Sequence, residues 1–455
     1  MNKKVILFTV LGSYFLIMMD TSITMTALNE IKKELHMNSG VLTWVQSAYV
    51  LLFGGLLLIG SKIGDTLGLK KVFLIGLHLF MFFSITTGLA NNSWLLIISR
   101  AGQGIAAALV SPSILAFINT LYDEGSEKRK IVSFYSAIAG IGASGGMLVG
   151  GILTWLLSWR FCFLINIPLC LLFIILAFTS LPKITPVKRQ TIDILGTILS
   201  VCSIILMILG MERMSTNINL INTFLIVIGV ILLGIFIMRE NNVASPIINL
   251  NLFKNKLRSS GYFLRFLFLC TSFSFWYYMS IYLQSVFHLS PITTGSLLIF
   301  TTGFNFITAL NIHKLLERKT NISLLIQGII ISIIGMVTLA LCIYYHSQII
   351  LFIPSLILIG IGQGFIFTPL TNLGMHNIST DQSGIASGLV NFSHQIGSST
   401  GVVFELVLAT FILSYTGEPH DNLTFYTIVI GTVIQFLMLA YIIIVFKKSK
   451  NKYEF

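Results

Sequence analysis

Long apolar runs, separated by short polar and charged segments, leave this chain few folds. Fourteen runs can be marked, at about 6–29, 41–61, 72–90, 94–121, 131–154, 160–181, 191–213, 219–238, 259–286, 292–313, 321–345, 348–372, 384–413 and 422–446. A helix needs roughly 20 mostly apolar residues to cross a bilayer. Inside lipid every backbone polar group must find its partner within the segment, which a helix achieves alone. Charged residues make up 10% of the chain, against about 25% in a soluble domain. The expected fold class is therefore all-α integral membrane, with fourteen transmembrane helices.

The formal net charge of +12 raises the question of a nucleic-acid partner. The basic residues fall instead in small clusters between runs: Lys3 and Lys4, Lys70 and Lys71, Lys128 to Lys130, Lys188 and Arg189, Lys254 to Arg258, Lys314 to Lys319, and the tail Lys447 to Lys452. With the N-terminus in the cytoplasm these all lie on the inner side, and the outer loops keep little beyond Lys32 and Lys33. That is a positive-inside pattern, which places both termini in the cytoplasm and requires an even number of spans. No nucleic-acid partner is expected. The opening MNKKVILF imitates a signal peptide, but the run behind it is too long and lacks a small-x-small cleavage site. The five cysteines all sit in apolar segments without a CxxC pair, so neither a disulfide framework nor a metal site is indicated.

The longest inner linker, Arg239 to Arg258, divides the runs into groups of six, two and six. The expected domains are 1–182, a six-helix bundle; 183–258, an inserted helix pair with a cytoplasmic linker; and 259–455, a second six-helix bundle with a basic tail. Matching features recur in order in the two larger groups. GQGIAAALVSP at Gly102 to Pro112 answers GQGFIFTP at Gly362 to Pro369, and glycine-rich runs follow both. Repeats of this kind build many secondary transporters, with the substrate site near the midplane.

Several motifs sit at defined places on these runs. After the second run comes Ser61, Ile63, Gly64, Asp65, Gly68 and Lys70. The fourth run holds Arg100, Gln103, Gly104 and Ala108. The fifth has Gly142, Gly146, Gly150 and Gly151, the first three spaced so that small residues share one helix face and let a second backbone approach. The first has Asp20, Thr21, Ala27 and Leu28, and Trp44, Tyr49 and the segment Trp159 to Pro168 complete the set. Together they resemble the major facilitator superfamily, in its fourteen-helix drug:proton antiporter branch, and more narrowly the multidrug exporters of Gram-positive bacteria. Thr66 and Leu69 replace two arginines of the family loop, and Met147 stands where proline is usual. The resemblance implies two six-helix bundles with an inserted pair and alternating access between them. It also implies gating roles for Asp65, Gly68, Gln103, Gly104, Gly142, Gly146, Gly150 and Gly151.

Of the sixteen acids, thirteen lie in loops, tails or span ends. Asp20, Glu212 and Glu405 lie within apolar stretches, where a carboxylate costs about 2.5–3.5 kcal/mol at the helix centre. Such residues face a protein interior or a water-filled cavity. They are candidates for proton coupling and cation binding, with Arg100 as a basic neighbour of Asp20. A buried carboxyl exchanges protons near neutral pH, and a lipophilic cation competes for the same charge, which gives a basis for antiport. The plainer alternatives are a helix-internal bond for Asp20, a surface pair with Arg213 for Glu212 and a structural hub for Arg100. Arg265 is read as snorkelling from a span end, and His313 and His394 as bland. The aromatic run Phe273 to Tyr282 either stacks on flat cations or meets lipid.

The expected protein is a multi-pass exporter of the cytoplasmic membrane, not an enzyme. It would act as a monomer, expelling dyes, quaternary ammonium compounds and fluoroquinolones in exchange for protons. No cofactor and no metal are expected, and no ATP-binding GxxxxGK[ST] loop is present. The rivals are a tetracycline–metal:proton antiporter, a metabolite uniporter and a non-transporting sensor.

Overall fold

A computed structural model describes residues 3–122, 126–183, 193–214, 219–243, 246–248, 250–378, 383–417, 419 and 422–447. Of the residues singled out above, Lys188, Arg189, Lys448, Lys450 and Lys452 lie outside the described residues, as do the side chains of Asp65, Lys128, Arg129, Lys130 and His313. Among the described residues fifteen α-helices follow one another: α1 (Lys3–Glu34), α2 (Ser39–Leu67), α3 (Leu69–Gly88), α4 (Ser93–Leu121), α5 (Ser126–Leu156), α6 (Phe161–Leu164), α7 (Asn166–Ser180), α8 (Ile194–Met214), α9 (Leu220–Asn242), α10 (Lys256–Ser285), α11 (Pro291–Leu316), α12 (Asn321–Tyr344), α13 (Phe352–Gly374), α14 (Ser383–Thr416) and α15 (Leu423–Lys447). Among the described residues there is no strand.

Thirteen spans among the described residues are long and apolar enough to cross a membrane, with α6 and α7 forming one of them. The 31-residue α5 holds the place of the remaining run. The sixth run breaks at Ile165, and α7 restarts at Asn166 with Pro168 in its first turn, where a missing N–H is harmless. Polar residues just ahead of the apolar runs begin the helices. Asn38, Asn92, Asn219, Asn255 and Thr320 each accept a first-turn backbone N–H, which would otherwise lack an intrahelical partner. The α2–α3 joint is a single residue, Gly68, at φ 94°, a conformation open to a residue without Cβ.

The chain divides into two compact units. The first holds α1 to α9, and the second α10 to α15 less Ser290–Gly295, which group with the first. In the first unit α1 and α5 pack through the glycines that the sequence set on one face. A Cβ built on Gly142 would lie 2.8 Å from the Met18 Cβ, one on Gly146 2.6 Å from the Met19 carbonyl, and one on Gly150 2.6 Å from Thr26 Oγ1. Ser22 Oγ donates to the Gly142 carbonyl across the same seam at 3.2 Å. Gly151 meets the Pro291 carbonyl, also within the first unit.

The internal repeat reappears in packing. Gly104, in the first GQG, lies against the Tyr49 carbonyl of α2, so that a Cβ there would collide with it. Gly364, in the second GQG, would bring a Cβ to 2.8 Å from the Asn305 carbonyl of α11. In each six-helix group the fourth helix thus closes on the second through the same glycine. The second unit's core joins Leu264 and Phe268 of α10 to Ile329 of α12, Ile366 and Leu370 of α13, and Met438 of α15.

The pair α8–α9 packs glycine to backbone as well, with Gly229 facing the Ser203 carbonyl and Gly210 the Asn222 carbonyl. At one end Asp193, just before α8, accepts from Arg239 Nε at 2.9 Å and Nη2 at 2.8 Å, and from Gly196 N at 2.9 Å. The Arg239 hydrogen bonds hold the Asp193 carboxyl below the usual carboxylate range. Glu240 accepts from Ile248 N, and Lys62 of α2 donates to the Pro246 carbonyl at 3.0 Å, which folds the segment after α9 back onto the first unit.

Two outcomes follow. Gly146→Val should cost about 1–3 kcal/mol by overpacking and depress the folded, monodisperse fraction by size-exclusion chromatography. Gly145→Ala, where an added Cβ meets nothing within 4 Å, should leave it unchanged. The Asp193 bond contributes stability above the unfolded carboxylate value of about 3.9 that is lost as pH falls through the depressed folded value. Thermal melts should therefore show Asp193→Asn less stable than wild type at neutral pH, with the gap narrowing in acid.

Candidate functional site

Asp20 lies midway along α1 and is wholly buried. The polar residues after it do not consume its carboxylate. Thr24 Oγ1 donates to the Asp20 backbone carbonyl at 3.1 Å, one turn back along the same helix. The carboxylate instead meets α4 and α7. Arg100 Nη1 donates to Asp20 Oδ2 at 2.6 Å, an ion pair in which both side chains have zero exposure. Asn166 Nδ2 donates to Oδ1 at 2.6 Å, and Gln103 Nε2 reaches the same atom at 3.4 Å.

A second layer fixes these partners. Arg100 Nη1 also donates to Gln103 Oε1 at 2.8 Å, and Arg100 Nε to the Val45 carbonyl at 3.0 Å. Ser84 of α3 accepts from Gln103 at 2.8 Å and from Asn166 at 3.3 Å. The guanidinium lies over the Tyr49 ring at 4.3 Å and near Phe163 at 5.5 Å. Removing two charges from water costs several kcal/mol per ion, and their attraction offsets this only with good geometry and further hydrogen bonds. The amide donors and the aromatic faces supply those. Among the described residues Arg100 Nη2 and Asn166 Oδ1 have no hydrogen-bond partner, so the network keeps one donor and one acceptor in reserve.

The Asp20 carboxylate is thus the common acceptor of two helices, reached by Arg100 and Gln103 from α4 and by Asn166 from α7.

The other sequence-selected residues fall in several places. Gln103 belongs to the network, and Gly104 forms the α4–α2 contact. The glycines Gly142, Gly146, Gly150 and Gly151 are packing contacts, and Gly68 is the α2–α3 joint. Glu212 is 7% exposed; its carboxyl lies against Gly40 in the first turn of α2, beside the Trp44 side chain and within the field of Arg213. Asp20 and Glu212 belong to the first unit and are not partners of each other in any hydrogen bond or ion pair described. Glu405, in α14 of the second unit, is 1% exposed and faces Ser274 of α10 and Gly431 of α15. Its Oε1 has no hydrogen-bond partner among the described residues.

Three members of the Asp20 site were not among the expected site residues: Ser84, Asn166 and Tyr49. Each is a polar side chain inside an apolar run, and that signal was available. Arg265 needs a correction too. It is buried in the second unit rather than snorkelling, because acceptors on α13 and α14 reach it. Among the described residues no group of three His, Cys, Asp or Glu is placed to hold a metal, and the cysteines are free.

Membrane-length helices in two groups repeat the same glycine contacts, with a carboxylate buried in each, as in a multi-pass membrane transporter. Residues 10–402 match the Major Facilitator Superfamily, and the chain belongs to that superfamily. It is similar to the puromycin resistance protein pur8 of Streptomyces alboniger, 29% identical over 89% of this chain and 81% of that protein. It is also similar to the cephamycin export protein CmcT of Amycolatopsis lactamdurans, 29% identical over 91% and 86%. The lincomycin resistance protein of Streptomyces lincolnensis is 28% identical over 85% and 80%. The fold is shared with a peptide transporter POT, with a TM-score of 0.69 at 15% identity over 97% of this chain and 94% of that one. A D-xylose-proton symporter shares it with a TM-score of 0.68 at 14% identity over 96% and 97%.

Breaking a buried ion pair by removing one partner costs about 3–5 kcal/mol, because an uncompensated charge stays buried. Asp20→Asn and Arg100→Gln should each lower thermal stability by an amount of that order, and the double variant by much less than their sum. A thermal double-mutant cycle measures this; additive effects would mean that the pair carries no coupling energy.

Proposed function

We propose that this chain exports amphipathic, cationic drugs across the cytoplasmic membrane in exchange for protons. Three similar proteins bear names of antibiotic resistance or export. The observation that carries the reading is Asp20: a carboxylate with no exposure, inside a membrane span, whose hydrogen-bond shell depends on its charge. Intramembrane acids are expensive, and they mark ion and proton pathways. Asp20 serves as the proton-coupling group, with Arg100, Gln103 and Asn166 sensing whether it is charged. Glu405 has an oxygen without a donor among the described residues, which makes it the acid on which a proton and a drug cation compete. Glu212 supports the same exchange from α8.

In this cycle the two six-helix groups alternate access, with α8–α9 as the inserted pair, and the asparagine, glutamine and arginine around Asp20 transmit its protonation to α4 and α7. Each proton moving inward down the membrane potential supplies about 2.3 kcal/mol per 100 mV. Two protons per monovalent cation would make export electrogenic. The chain acts as a monomer, on small-molecule drugs and protons, without a cofactor.

Reconstitution into proteoliposomes with an inward-directed proton gradient, following ethidium and tetracycline separately, is the direct test. Ethidium should move against its gradient in wild type. Glu405→Gln and Asp20→Asn should each lower that movement by about tenfold or more, equivalent to about 1.4 kcal/mol or more of coupling. Ethidium movement indifferent to the gradient would sink the reading. Gradient-driven movement of tetracycline with a divalent metal, and not of ethidium, would replace it with tetracycline–metal antiport.

A further inference from the structure

Arg265 and His394 stand apart from the three acids, and the proposed cycle makes no use of them. Arg265 of α10 is 7% exposed. Its Nη1 donates to the Phe367 carbonyl and to Thr371 Oγ1, both on α13 and both at 3.1 Å. Its Nη2 lies 3.1 Å from His394 Nδ1 on α14. The guanidinium sits over the Phe367 ring at 4.9 Å, and that ring stacks on the imidazole at 6.1 Å between centroids and 29° between planes. One cation therefore joins three helices of the second unit, and one of these bonds ends on a titratable ring.

The chemistry of that bond fixes the ring's state. A guanidinium only donates and keeps its protons at any pH a protein meets. Nη2 is then the donor, and His394 Nδ1 must be the acceptor. The imidazole is neutral, with its hydrogen on Nε2. A proton arriving at Nδ1 would turn the acceptor into a donor and set a second positive charge beside the first. The Arg265 bond and a proton on Nδ1 exclude each other. Among the described residues, the charged group facing His394 is Arg265 from α10. From α13 it meets the Phe367 ring, with the Thr371 hydroxyl held on the same guanidinium. On its own helix Ser398 Oγ donates to the His394 backbone carbonyl at 2.8 Å.

We propose that His394 is a proton-binding residue of the second unit and that Arg265 is its positioning residue, holding Nδ1 unprotonated and tied to α10. The incoming proton makes imidazolium from imidazole; Arg265 keeps its protons, and Nη2 gives up its acceptor. The tie between α10 and α14 then opens, while the two bonds from Arg265 to α13 stay. The inference rests on proton-driven export and adds a histidine to its acids.

The test measures protons released when ethidium binds to the purified full chain in weakly buffered detergent, read with a pH-sensitive dye, with ethidium fluorescence confirming binding. His394→Gln keeps an amide oxygen that can accept from Arg265 and does not titrate. Across a pH series the variant should release fewer protons per bound ethidium than wild type at the acid end, and at the alkaline end the two should coincide. Arg265→Gln should shift the pH at which release changes in the protein that retains His394, which a merely structural contact would not do. Identical release curves for wild type and His394→Gln overturn the His394 assignment and leave antiport standing. No release from either, with ethidium bound, overturns both. If His394→Gln does not fold, an unchanged pH curve for Arg265→Gln overturns the proposal by itself.

Discussion

The Asp20–Arg100 ion pair is the interaction around which the first unit is arranged. Two opposite charges at 2.6 Å with no exposure cannot stand alone in a lipid-embedded protein. Desolvation outweighs their attraction unless hydrogen bonds complete the shell. Five helices contribute to that shell or to its support: α3 through Ser84, α4 through Gln103, α7 through Asn166, α2 through Val45 and Tyr49, and α6 through Phe163. The break between α6 and α7 belongs to the same arrangement, since α7 begins at the asparagine that donates to Asp20. The most polar point of the unit is also the point where most of its helices meet.

Close helix contacts depend on a different physical device. Lipid tails are as apolar as leucine, so helices in a bilayer associate by packing and hydrogen bonding. The glycines of α5 let α1 approach its backbone, and Ser22 adds a hydrogen bond across the seam. Gly104 and Gly364 repeat one solution in two places, each bringing the fourth helix of a group onto the backbone of the second. A side chain at either position would push the helices apart. The GQG element is thus a packing element first, and in α4 its glutamine also enters the charge network.

The two units treat their buried charges differently. In the first, the acid is matched by an arginine and two amides. In the second, Glu405 has an oxygen without a donor among the described residues, while Arg265 binds a carbonyl, a hydroxyl and an imidazole. The neutral acceptors around Arg265 include one that can itself take a proton, and that turns a structural contact into one sensitive to charge.

Much of this was legible in the residues. Run lengths determined the helices, and glycine spacing determined that α5 would accept a close neighbour. Asp20, Glu405 and Glu212 stood out because a carboxylate in an apolar run has a large free-energy cost wherever the chain goes. The sequence offered Arg100 as a neighbour of Asp20 but could not name the other partners that meet that cost, because Ser84 and Asn166 lie 64 and 146 positions from Asp20 in the chain and only helix packing brings them together. It also misplaced Arg265, whose nearness to a span end suggested an escape to solvent. Its acceptors sit on α13 and α14, more than 100 positions away. The sequence by itself determined which acids inside the apolar runs must be buried and on which helices. Tertiary structure decided which of them are paired, since pairing depends on distances across helices that no local pattern encodes.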